Sequence, residues 1–84
     1  MAYLYILFSK SADKFYIGHT ESSLLERLKK HNSNHKGFTG KHSDWNVIYY
    51  EQHTSKKEAY AREREIKSWK SRKRIIQLIE KEPN

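Results

Sequence analysis

The chain has no cysteine, one proline and three glycines among its 84 residues. Without cysteine, neither a disulfide nor a thiolate-held zinc can staple so small a fold. No apolar run approaches the ~20 residues needed to cross a bilayer, and the N-terminus lacks the basic stretch and cleavage site of a secretory signal. A soluble, cytoplasmic protein without a membrane partner is the expectation. Acidic residues are the scarcer charge: ten Asp and Glu stand against seventeen Lys and Arg, for a formal net charge of +7. On a small body that excess favours a polyanion, of which nucleic acid is the commonest.

Apolar residues are also limited, at 36% of the chain with a mean hydropathy of −1.04. One domain covering residues 1–84 is expected, with a modest core. Residues 3–8, Tyr-Leu-Tyr-Ile-Leu-Phe, contain no polar side chain, which describes a strand buried on both faces and central in its sheet. Residues 15–18, Phe-Tyr-Ile-Gly, form a second strand, and the polar segment 9–14 between them suits a hairpin turn. Gly18 offers no side chain to pack, so another group must approach it closely. Alternation puts Tyr3, Tyr5 and Leu7 on one face, and Tyr16 with Gly18 on one face of its own strand. Whether Tyr5 and Tyr16 meet depends on register, since a slip of one residue would separate them.

Ser23 followed by Glu26 fits a capping box opening a helix, with Leu24, Leu25 and Leu28 as its packing stripe. Arg27 and His31 lie four apart beside that stripe, and Lys29 and Lys30 point outward. Residues 32–44 read as a loop, in which Lys36, Lys41 and the small residues around Thr39 suit a phosphodiester backbone. His31 and His35 lack a third partner at a metal-site spacing. Residues 45–51 form a third strand, aromatic and β-branched.

A second helix opens at Ser55 with another capping box to Glu58. Its stripe is Ala59, Ile66 and Trp69. Arg62 and Glu63 fall inside that arc, Arg64 and Glu65 outside. A carboxylate facing the core must be paired or metal-bound to stay charged. After Ser71 a last helix packs through Ile75, Ile76, Leu78 and Ile79. Nine cations crowd positions 56–74, Lys67 and Lys70 among them, opposed only by Glu58, Glu63 and Glu65. The fold class is α+β (α/β in the broad sense): a small, mostly antiparallel three-stranded sheet flanked by helices, in the order β-β-α-β-α-α.

Tyr3-Leu4-Tyr5, ten residues, then Tyr16-Ile17-Gly18 resembles the two-part signature of the GIY-YIG nuclease superfamily. Arg27, the His31-Asn32 pair, Thr39 and Glu63 follow in that family's order. The likeness spans nearly the whole chain and is closest to the small stand-alone bacterial members, although the interval from Tyr16 to Arg27 is one residue longer. The resemblance implies a metal-dependent endonuclease that hydrolyses phosphodiester bonds of DNA, in repair or processing. Glu63 would hold one divalent cation, magnesium first, with manganese (Mg2+ or Mn2+) as substitute. Arg27 would donate to the phosphate. Tyr16 would contact the nucleophilic water, His31 take up its proton and Tyr5 orient water or phosphate.

Gly18, Lys36, Thr39, Lys41, Lys67 and Lys70 would lie along the nucleic acid. With no fused DNA-binding domain, target choice would come from DNA structure, such as branches or flaps, or from a protein partner or homodimer. The main rival is a catalytically silent nucleic-acid-binding module of the same fold. A basic interaction protein for a ribosome or another acidic complex accounts for the charge alone. The enzymatic reading requires the tyrosine strands, the first helix and the acid of the second to converge.

Overall fold

A computed structural model describes residues 1–33 and 42–81. The elements are β1 (Ala2–Ser9), β2 (Lys14–Thr20), α1 (Leu24–Ser33), β3 (Trp45–His53), α2 (Lys56–Ser68) and α3 (Arg72–Lys81), in the order expected from the sequence. The sheet is antiparallel with strand order β2-β1-β3. The apolar first strand is therefore the central one, and Leu4, Tyr5, Ile6 and Leu7 are fully buried. Lys36, Thr39 and Lys41 lie outside the described residues. Among the described residues no helix is long and apolar enough to cross a membrane.

Because β1 is covered on both sides, the molecule has two small cores. Leu4, Ile6, Ile17, Tyr49 and Ile66 form one, closed by Trp69 of α2's end and by Ile75, Leu78 and Ile79 of α3. Tyr5, Leu7 and Trp45 form the other, beneath Leu24 and Leu28 of α1 and beside Tyr16. Two apolar residues expected in packing stripes are not covered: Leu25 is 63% exposed, and Ile76 is also exposed. Each sits on the flank of its helix, and a sheet of three strands is too narrow to cover so wide a stripe.

Local signals set the ends of the elements. Glu26 N, Glu58 N and Arg74 N donate to the hydroxyls of Ser23, Ser55 and Ser71, satisfying amides that open the three helices. In the second capping box the carboxylate of Glu58 accepts instead from Thr54 Oγ1. Asp13 takes a positive φ of 54° in the hairpin turn, where short polar residues tolerate it best. Arg72 holds that turn from α3 through Asp13 O and Oδ1.

Two further ties bring distant segments to the sheet. Asn32 Nδ2 donates to Trp45 O, and Asn32 Oδ1 accepts from Trp45 N, so one amide side chain pairs the opening of β3 as a strand would. Asp44 accepts from Ser9 Oγ, Ser11 N and Ser11 Oγ. The Ser9 bond, then the Ser11 amide, hold the Asp44 carboxyl down at about 2. The β1–β3 register also slips once: Ile6 pairs with Tyr49 but Leu7 with Val47, leaving Ile48 as a surplus residue, a β-bulge.

Candidate active site

Tyr5 pairs with Gly18 and Leu7 with Tyr16. That register puts the two tyrosines on one face, as the sequence reading demanded. The bare backbone of Gly18 is where the Tyr5 ring lies: a Cβ at position 18 would stand 2.6 Å from Tyr5 Oη and 3.0 Å from Tyr16 Cε1. The close approach anticipated at this glycine thus includes two aromatic rings of the protein itself. From α1, buried His31 completes the cluster. Its Nε2 is 3.0 Å from Tyr5 Oη, and its ring centroid is 4.6 Å from that of Tyr16 and 5.9 Å from that of Tyr5.

Arg27, one turn earlier on α1, lies close enough for its charge to act on the Tyr5 phenol and on the His31 ring. Burial, and secondarily the Arg27 charge, lower the His31 pKa below its usual 6.5, so the ring is neutral at pH 7. Burial raises the Tyr5 pKa above its usual 10 despite the opposing pull of Arg27. Tyr5 is accordingly a phenol, not a phenolate. Arg27 Nε is buried without a hydrogen-bond acceptor among the described residues, a donor that a packing role leaves unexplained.

The acid comes from the other side of the sheet. Glu63 is buried in the α2 stripe with Ala59 and Ile66, the position the helical wheel gave it. Its Oε1 is 2.7 Å from His19 Nδ1 and its Oε2 accepts from Lys67 Nζ at 2.9 Å. The Lys67 ammonium in turn lies 6.0 Å from the centroid of the Tyr16 ring. The arrangement therefore folds around β2, an edge strand. Tyr5, Tyr16, Arg27 and His31 occupy one face, His19 and Glu63 the other, and Lys67 spans the edge between them. Glu63 is near enough that its charge is felt at the Tyr5 phenol.

A family model described as the GIY-YIG catalytic domain matches residues 1–75. The chain belongs to the GIY-YIG family. Neither the curated proteins nor the solved structures include a match. Membership of the GIY-YIG family supports a nuclease-type activity, with DNA as the implied substrate class.

Seen against the GIY-YIG signature, Tyr5, Tyr16, Gly18, Arg27 and His31 form one contiguous cluster, and Lys67 connects it to Glu63. Lys70, with a positive φ of 48° just past the end of α2, lines a groove of about 410 Å³ with Tyr16, Lys67, Phe15 and Ile75. His19 is the residue that sequence reasoning missed. Its partner is 44 positions away, and nothing local marks it. The Lys67 contact was readable, since Glu followed by Lys at i+4 is a favourable helical pair. Arg62, which shares the arc with Glu63, is bound instead by both carboxylate oxygens of Glu51 at 3.1 Å and by Glu65.

Among the described residues no group of three or more His, Cys, Asp or Glu side chains gathers as metal ligands. A cation here would have one protein carboxylate, Glu63, and would complete its shell with water and substrate oxygens, as magnesium commonly does. The donor set fits. Lys67, half-exposed, supplies positive charge at the same oxygen and is free enough in solvent to yield it.

Proposed function

We propose that the protein is a metal-dependent DNA endonuclease acting in repair or processing of DNA. The observation that carries the reading is the convergence, around one edge strand, of two phenols, a neutral imidazole, a guanidinium and a buried carboxylate. Arg27 donates to the non-bridging phosphate oxygens as negative charge builds on them. Tyr16, the more exposed phenol, contacts the attacking water. His31 takes up the water's proton. Because His31 Nε2 is bonded to Tyr5 Oη, Tyr5 stands on that route and passes its own proton to Nε2 as it receives another. A divalent cation on Glu63 would neutralise the phosphate and stabilise the departing 3′ oxygen.

A nicking assay on branched, flapped and plain duplex DNA, with and without magnesium, tests this directly. Glu63→Ala should lower magnesium-dependent cleavage about 100-fold or more while DNA binding changes less than about twofold. Survival of cleavage in that variant would remove the metal from Glu63. One observation favours the silent binding module: both Glu63 oxygens already have cationic or hydrogen-bonding partners in His19 and Lys67. Absence of cleavage by the wild-type chain at any divalent concentration, with DNA binding intact, would decide for that module.

A further inference from the structure

Beyond Glu63, α2 carries a second set of residues that the proposed chemistry does not use. Lys56, Tyr60 and Arg64 recur every four positions and so share one flank of the helix, adjoining the buried stripe that contains Glu63. Tyr60 keeps 46% of its surface exposed. Its ring lies 5.1 Å from that of His19, and the Arg64 guanidinium lies 5.8 Å from its centroid. His19, Lys56, Lys57 and Tyr60 together line a concave groove of about 390 Å³. None of the ion pairs among the described residues engages Lys56, Lys57 or Arg64.

Tyr60 is half-exposed, and the cations beside it are committed to no carboxylate among the described residues, so ring and charge are both available to a ligand. A half-exposed aromatic ring bordered by cations suits a nucleotide: the base stacks on the ring and the phosphate goes to the ammonium groups. Bases inside a duplex already have both faces stacked, so the ligand must be unpaired. We propose that this groove seats an unpaired nucleotide of a DNA strand, its base against Tyr60 and its phosphate on Lys56 and Lys57. His19 borders the groove and also bonds Glu63, so the seated nucleotide lies next to the candidate acid. Resting on the endonuclease reading, this places the cut beside a junction of paired and unpaired strand.

The test uses the full chain in EDTA, so that cleavage plays no part. A dye-labelled twelve-residue oligothymidylate and a blunt duplex are titrated by fluorescence anisotropy against wild type, Tyr60→Leu and Tyr60→Trp. Tyr60 is exposed, and matching melting curves check that the variants fold. Tyr60→Leu should bind the oligothymidylate about 10-fold more weakly and the duplex within about twofold, and Tyr60→Trp should retain wild-type binding to both. Equal losses on the two ligands, or no loss on the single strand, would overturn the proposal. Magnesium-dependent cleavage by the wild type is measured separately. Its absence beside a Tyr60-dependent preference for single strands would sink the endonuclease reading and leave the groove standing.

Discussion

One methyl group at position 18 would meet the Tyr5 phenol 2.6 Å from its oxygen and 2.7 Å from Cζ. The ring has nowhere to retreat, being fully buried, bonded to His31 and flanked by Tyr16. Gly18→Ala should cost about 1–3 kcal/mol of stability in urea denaturation, with a larger proportional loss of cleavage because the Tyr5–His31 bond is displaced. Unaltered stability would show that the ring is not confined as described. His31 gives a second expectation at this scale. Its folded-state pKa is depressed, so between that value and the unfolded reference of about 6.5 the unfolded chain binds more protons. Stability should therefore fall as pH is lowered through about 6.5, levelling off below the folded-state pKa. The slope in that window should flatten in His31→Gln, measured as urea midpoint against pH. An NMR titration placing His31 above 6.5 would contradict the neutral imidazole on which the proton route depends.

Between elements, Asn32 joins the end of α1 to the start of β3 with two hydrogen bonds to Trp45. Each is worth about 1 kcal/mol net, so Asn32→Ala should lower stability by about 1–3 kcal/mol, read from the urea midpoint. Residue type announced the strands here because residues 3–8 of β1 form an unbroken aromatic and aliphatic run and β2 and β3 are aromatic. It announced α2 and its inward acid because a wheel needs only local spacing. The register of β1 and β2 was not legible. Alternation allows Tyr5 and Tyr16 to share a face or not, and the choice is made by Tyr5 settling over Gly18. Nor was the width of each packing stripe, which left Leu25 in solvent. The ties across 44 residues from His19 to Glu63, and across 35 from Ser9 to Asp44, are made by tertiary folding and leave no local pattern to read.

Over the whole molecule the +7 charge is less uniform than the run of cations at 56–74 suggests. Arg62, Lys67 and Arg72 are committed to Glu51, Glu63 and Asp13, and Arg74 lies over the Trp69 ring. A smaller set, including Lys56, Lys57, Lys70 and Lys73, remains for DNA. If about three phosphates are neutralised, duplex affinity should fall about 40-fold between 50 and 200 mM salt, measured by anisotropy at several salt concentrations. A salt-independent affinity would rule out a phosphate-led interface. The opposite margin of the sheet has a different task. β3 is an edge strand, and an edge with evenly spaced amides and carbonyls invites a neighbouring chain to zip onto it. The surplus Ile48 breaks that even spacing and adds local twist, so any strand laid along this margin would meet it out of step.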